Sequence, residues 1–252
     1  MSMYEVLGSC YCAIGEITNN FLERIDLKLI RRSRTSIEFG AALKRISSHN
    51  IEINTIIDIG ASDGRWSKEA MQYYPNASYF LIEANPLHEE KLRQFKATHK
   101  NIDYVLSAAG DIEGNAYFYN KDLFGGLASH DASLYSECIE SPMTTVDAQV
   151  KKNNLTPPFL IKMDTHGFEV PILDGAKKSL EKTNYLILET YNFRVTQNSM
   201  LFYEMCKYLE EKGFRPIDIY GPSFRPKDNF WWQLDIIFAR SDIKTLSDNT
   251  FK

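Results

Sequence analysis

Four carboxylates and one histidine stand at or near the ends of apolar runs in this chain. Asp58 lies in Thr55-Ile56-Ile57-Asp58-Ile59, which breaks into Gly60-Ala61-Ser62-Asp63-Gly64. Glu83 ends the run from Ala77 to Ile82, Asp164 ends Phe159 to Met163, and Glu189 ends Tyr185 to Leu188. His166 follows Asp164 by two residues. Ligands of open α/β sheets bind beyond the carboxyl ends of the strands, so Asp58, Asp164 and Glu189 are expected to converge there. An imidazole in that place is the natural group to take a proton from a hydroxyl, which makes His166 the candidate base. Its plainer reading is a helix cap or a solvent-exposed ring. Asp164 and Glu189 offer hard oxygen ligands for a divalent cation such as Mg2+ or Mn2+, which would lower the pKa of a bound hydroxyl. Without a cation, Glu189 accepts hydrogen bonds from a neighbouring loop or orients His166.

The charge of the first loop selects among cofactors. Gly60 and Gly64 let the chain turn sharply and let a ligand approach the backbone. A G-x-G-x-x-G loop holds a pyrophosphate at bare amides, whereas Asp58 and Asp63 would repel one. They suit a ligand with positive charge and hydroxyls, and S-adenosylmethionine carries an ammonium, a sulfonium and a ribose. The alternative is an ordinary strand-to-helix turn whose acids satisfy local amides. Glu83 lies roughly 20 residues beyond the loop, the spacing at which a strand-tip acid meets ribose hydroxyls. It can also cap the next helix, where Pro86 suits the first turn.

The elements that position these groups alternate. Thr55 to Ile59, Ser78 to Glu83 and Ile102 to Leu106 read as strands, with helices at Arg65 to Tyr74 and Leu87 to Thr98 between them. That order implies a doubly wound parallel sheet with right-handed crossovers. Two helices, Asn20 to Ser33 and Ser36 to Asn50, precede it on helical spacing of Phe21, Leu22, Ile25, Leu29 and then Phe39, Leu43, Ile46. Asn115 to Asn120 alternates weakly, and Lys121 to Ser141 is polar with no clear period, which is read as a substrate-facing insertion. Further on come a helix at Thr144 to Asn153, a strand at Phe159 to Met163, a helix at Phe168 to Leu180 and a strand at Tyr185 to Leu188. Leu201 to Lys212 is a helix stopped by Gly213, and Phe214 to Tyr220 with Trp231 to Ala239 forms a closing antiparallel pair. The chain divides into a helical extension over 1–50, a cofactor domain over 51–240 and a tail over 241–252.

A length of 252 residues with 44% hydrophobic content supports one large α/β domain. A net charge of -4 gives no reason to expect nucleic-acid binding. Arg31, Arg32 and Arg34 form the compact basic cluster and read as a solvated helix face. Cys10, Cys12, Cys138 and Cys206 lack zinc spacing and disulfide density, so reduced thiols are expected. The N-terminus lacks a signal peptide, and no apolar run is long enough to insert in a membrane, so a cytoplasmic protein is expected. Met1 to Thr18 is read as a homodimer contact or a disordered end.

Ile57-Asp58-Ile59-Gly60-Ala61, then Leu81-Ile82-Glu83-Ala84-Asn85-Pro86, then Ile161 to Ala176 with Lys162-Met163-Asp164-Thr165-His166-Gly167-Phe168-Glu169 at its start together resemble the FkbM family of S-adenosylmethionine-dependent methyltransferases. The resemblance covers about Thr55 to Asn192. It implies a Rossmann-like class I methyltransferase fold, with a mostly parallel sheet and an antiparallel C-terminal strand, and O-methylation of hydroxyls on natural products and surface sugars. By resemblance Asp58, Gly60, Ser62 and Asp63 surround the methionine end of the cofactor, Glu83 the ribose, and Ser107 and Ala108 the adenine. Many members carry Glu where this chain has His166. The expected reaction is methyl transfer to a sugar hydroxyl, on a nucleotide sugar or a surface polysaccharide, with a natural-product hydroxyl or amine as the alternative acceptor. His130, Asp131, Asn192 and Arg194 are the expected acceptor contacts, and Arg194 and Arg225 suit phosphates or surface ion pairs. The rivals are a nicotinamide-dependent oxidoreductase, disfavoured by Asp63, and a non-catalytic scaffold, disfavoured by the intact acids.

Overall fold

The computed structural model describes residues 36–119, 123, 125–132 and 137–250. The expected helix Asn20 to Ser33, the basic cluster, Cys10, Cys12 and the Met1 to Thr18 contact lie outside them. The chain splits into units Met1–Ser36 and Ile37–Lys252, and the second unit holds both sheets. The boundary expected at residue 50 falls inside that unit, because helix α1 (Phe39–Ser47) buries Leu43 and Ile46 against the sheet.

Seven strands make the main sheet: β1 (Thr55–Ile59), β2 (Ser78–Glu83), β3 (Ile102–Leu106), β8 (Phe159–Met163), β9 (Thr183–Tyr191), β10 (Phe214–Phe224) and β11 (Trp231–Arg240). Their order across it is β10-β11-β9-β8-β1-β2-β3. β1, β2, β3, β8 and β9 pair in parallel, and β11 runs antiparallel to both of its neighbours. β1 and β8 are buried at every position because helices cover both faces. Side chains alternate across the sheet. Ile57, Ile59, Ile161, Met163, Leu186 and Leu188 therefore fill one core, and Ile56, Leu160, Ile187 and Ile237 fill the other. The sheet is thus mostly parallel with a reversed β11, as the sequence leads one to expect.

Helices α2 (Arg65–Ala70) and α3 (Glu89–Thr98) follow β1 and β2, the second behind a short 3-10 turn at Pro86–His88. α2 is shorter than expected, since beyond Ala70 the amides of Tyr73 and Tyr74 both bond the Ala70 carbonyl and Pro75 follows. The expected helix Phe168 to Leu180 is two, Glu169–Asp174 and Lys177–Leu180. The break falls at Gly175, whose carbonyl accepts from Asp147 N–H at 3.0 Å and whose Cα packs where a Cβ would meet the Gly110 carbonyl at 1.9 Å.

The described part of the insertion is more regular than its sequence implies. β4 (Ala108–Ala109), β5 (Gly114–Tyr119), β6 (Leu127–Ser129) and β7 (Cys138–Thr144) form a second sheet in the order β4-β7-β5-β6. β5 pairs antiparallel with β7 from Gly114↔Met143 to Tyr119↔Cys138 and with β6 from Tyr117↔Ser129 to Tyr119↔Leu127, so residues 127–129 and 138–141 of the expected insertion are strand. The helix expected at Thr144 to Asn153 runs Val146–Lys152, capped by the Thr145 hydroxyl on Ala148 N–H. Among the described residues, no helix is long and apolar enough to cross a membrane.

Candidate active site

A cavity of about 260 Å³ opens at the carboxyl ends of β1, β2 and β8, as the strand-end rule requires. Its first wall is the turn after β1, where Gly60, Ser62 and Gly64 have φ of 70°, 53° and 80°. Gly60 N–H donates to the Ile82 carbonyl at 2.9 Å, and a Cβ there would stand 2.1 Å from the Asp164 carbonyl. Only glycine fits between the two flanking strands at that φ. The turn aims Ser62 N–H at Glu83, which it meets at 2.6 Å, while Asn85 N–H donates to the other Glu83 oxygen at 2.7 Å. Burial pushes the Glu83 carboxyl above its usual range, and the two amides oppose that push. The helix-cap reading belongs to Asn85 instead, whose side chain accepts from Leu87 N–H at 3.1 Å.

Asp58 does not line the cavity. It is fully buried and paired across the β1–β8 register with Lys162, whose Nζ lies 3.1 Å from Oδ1 outside hydrogen-bond alignment. Asp58 Oδ2 accepts from the Ser67 hydroxyl at 2.7 Å. Lys162 also donates to the Gly60 carbonyl at 3.2 Å and lies 3.4 Å from Asp164. Burial works to lower the Lys162 pKa, but Asp58 and Asp164 outweigh it and hold the ammonium charged. Asp63 likewise misses the cavity: Arg65 takes its carboxylate at 2.8 Å and holds it below the usual range. Sequence alone places both acids near the loop, but side-chain direction and partners turn them away from it.

The second wall carries Asp164, Thr165 and His166. Asp164 has 43% of its side chain exposed. Against the desolvation that would raise it, Lys162 and then His166 hold its carboxyl below the usual range. His166 Nδ1 lies 2.7 Å from the Tyr191 hydroxyl and 3.2 Å from Glu189 Oε2. Glu189 itself accepts from the Tyr191 hydroxyl and from Gln233 Nε2. Register explains the cluster, since Tyr191 sits opposite Gln233 and Glu189 opposite Asp235 on β11. Burial, then Glu189 and Asp164, pushes the Asp235 carboxyl up to about 8, and burial pushes Glu169 up to about 7.

Of the residues expected from sequence, Gly60, Ser62, Glu83, Ser107, Ala108, Asp164 and His166 line one cavity. Glu189 stands behind His166. The four expected acceptor contacts lie elsewhere. His130 pairs with Asp111 at 2.9 Å, Asp131 is exposed with its N–H on Ser129, and Asn192 bonds the backbone of Trp231 and Trp232. Arg194 holds Glu204 at 2.8 Å and the Ser199 carbonyl. Arg225 pairs with Asp228 and stacks on Phe193. The insertion does face the cavity, through Phe118, Leu123, Gly126 and Ala128. It is tied to the second strand end where His88 Nε2 meets the Leu123 carbonyl at 2.9 Å. Trp66 lines the cavity and packs on Phe39. Sequence reasoning missed Lys162, Tyr191 as a partner of His166, and Gln233. The i, i+2 polar pairs Glu189/Tyr191 and Gln233/Asp235 inside apolar strands were the available signal.

Comparison with known proteins places this geometry. A search of curated proteins finds no match. Solved structures with a similar chain course include the precorrin-6y C5,15-methyltransferase of Geobacter metallireducens GS-15, at 14% identity over 81% of this chain and 90% of that one, TM-score 0.43. The fibrillarin pre-rRNA processing protein of Methanococcus jannaschii is 16% identical over 79% and 69%, TM-score 0.47. M. capricolum TrmK, solved with S-adenosyl-homocysteine, is 14% identical over 79% and 67%, TM-score 0.41. Likenesses this remote carry no argument about substrate. The methyltransferase FkbM domain model, in contrast, matches residues 58–216 and takes in the turn after β1, Glu83, Asp164, His166 and Glu189. With more than half of its length inside that model, the chain belongs to the FkbM family of S-adenosylmethionine-dependent methyltransferases.

Proposed function

We propose that this methyltransferase acts on a sugar hydroxyl, of a nucleotide-activated sugar destined for a surface polysaccharide, with His166 as the base. The observation that carries the reading is that His166 and Glu83 line the same cavity. Bound S-adenosylmethionine supplies a methyl on a sulfonium, open to in-line attack by an oxygen. Gly60, Ser62 and Glu83 would hold it, with Ser107 and Ala108 at the adenine. The donor set fits: a carboxylate has about four lone-pair sites, and the amides of Ser62 and Asn85 use two, which leaves acceptors for two ribose hydroxyls. His166 takes the hydroxyl proton, and Asp164 and Glu189 favour the imidazolium that results. A cytoplasmic setting is consistent with the Cys206 thiol standing outside any disulfide among the described residues.

A bound cation is the second reading, favoured by one observation. Single ligand atoms of Asp164, His166 and Glu189 all lie within 4.8 Å of one another. Glu189 already accepts from Tyr191 and Gln233, and Lys162 lies beside Asp164, so the base reading stands first. Methyl transfer screened across nucleotide sugars, with and without EDTA, tests both: turnover in EDTA supports the base, and turnover that only Mg2+ or Mn2+ restores supports the cation. No transfer to any sugar overturns the acceptor. Glu83→Gln should weaken S-adenosylmethionine roughly ten- to a hundredfold by calorimetry, and unchanged affinity would remove Glu83 from the cofactor site.

A further inference from the structure

The hydrogen bonds behind His166 fix where its proton sits. Gln233 Nε2 donates to Glu189 Oε1; the amide turned about would set two acceptor oxygens in contact. The Tyr191 hydroxyl has a single proton, and it goes to Glu189 Oε2. Its oxygen is then an acceptor toward His166 Nδ1, 2.7 Å away, and Glu189 Oε2 is a second acceptor 3.2 Å from the same nitrogen. Two acceptors facing one ring nitrogen require a donor there.

We infer that Tyr191, Glu189 and Gln233 form a relay that holds His166 in the Nδ1–H tautomer, so that Nε2 carries the lone pair that takes the acceptor's proton. The inference rests on His166 being the base of the proposed reaction. The acceptor O–H bond breaks, its proton passes to Nε2, and the imidazolium so formed keeps its Nδ1–H on Tyr191 and Glu189. The other charged groups around the ring are Asp164 and Lys162 on β8 and Glu169 after it. Lys162 stands on Asp58, Asp164 and the Gly60 carbonyl, and Glu169 accepts from Gly167 N–H at 2.8 Å, so each is engaged away from Nδ1. Tyr191, Glu189 and Gln233 are positioning residues, since they act through His166.

The tautomer is readable without any acceptor. Two-bond 1H–15N correlation on the full-length 15N-labelled chain, at a pH where free imidazole is neutral, separates protonated from unprotonated ring nitrogens. The chain has five histidines, and the signal lost in His166→Gln identifies the one in question. The expected wild-type spectrum has a protonated Nδ1 and an unprotonated Nε2; a proton on Nε2 overturns the relay. Glu189→Gln replaces an acceptor with a group that can donate, so the proton should move to Nε2, and an unmoved Nδ1–H overturns the role of Glu189. Should that variant fail to fold, Tyr191→Phe carries the test: a mixture of both tautomers is expected, and an unchanged spectrum overturns the part given to Tyr191. Addition of Mg2+ should leave the His166 signals in place, and a shift would assign the ring to a cation instead. Calorimetric binding of S-adenosylmethionine, expected unchanged in both variants, keeps the two ideas apart. A chain with Nδ1–H that binds no cofactor refutes the functional reading and leaves the relay standing.

Discussion

Two polar clusters occupy the same edge of the sheet, and they differ in how their charges are balanced. Around Lys162, one ammonium sits between the carboxylates of Asp58 and Asp164, and Asp58 has no exposure at all. Around Glu189, the acids Glu169, Glu189 and Asp235 crowd together with His166 and Lys162 to offset them, and two of the three are pushed to neutral pH or above. The first arrangement holds the turn after β1 in place, because Lys162 also bonds the Gly60 carbonyl. The second stores unfavourable charge next to the cavity, where a proton taken from an acceptor would relieve it. A closed ion pair balances its charges within the fold, whereas an unbalanced acid cluster beside a cavity is where perturbed groups suited to chemistry gather.

Breaking the first cluster should have the largest effect. Lys162→Met leaves Asp58 buried without its partner, a loss of about 3–5 kcal/mol of folding stability. Urea unfolding should show it, and Asp58→Asn added to Lys162→Met should recover most of the loss. If Lys162→Met unfolds like wild type, the buried pair is not what holds the turn.

In the second cluster the sign reverses. Folded Asp235 keeps its proton up to about pH 8, whereas the unfolded group loses it near 3.8. Folding therefore loses stability as the pH rises from the lower value through the higher one, with no cost below it. Asp235→Asn should raise stability above pH 8 by on the order of 5 kcal/mol and leave it unchanged in acid. A pH-independent gain would point to packing in place of ionisation. The smallest effect is expected at Arg194, paired with Glu204 at the surface. Arg194→Ala should leave thermal stability and turnover at wild-type values, and a rise in KM for the acceptor would return Arg194 to the substrate site.

Much of this was legible before folding. β1, β2, β3 and β8 have the bounds that their sequences imply, because β-branched and aromatic runs ending in an acid or a glycine turn have few other ways to be satisfied. Glu83, singled out by its spacing, and His166, singled out by its residue type, both line the cavity. The insertion sheet was not legible, since β7 mixes Glu140, Ser141 and Pro142 among its apolar residues and draws its regularity from pairing with β5. Nor were the partners of His130, Asn192 and Arg194, because polarity in a loop does not say which group a side chain takes.

The sequence by itself determined the alternating strands and helices, the glycine turn after β1, and the residue types at each strand end, since these depend on neighbours along the chain. Only the tertiary structure decided which acids face the cavity. Asp58 and Glu83 both sit at strand ends, yet register sets Asp58 opposite Lys162 and takes it out of reach, while the Gly60 turn brings the Ser62 amide to Glu83. The same holds behind His166, where Tyr191 and Gln233 lie far apart in sequence and meet because β11 runs antiparallel to β9. Register between distant strands is fixed by packing on both faces of the sheet, and no local pattern encodes it.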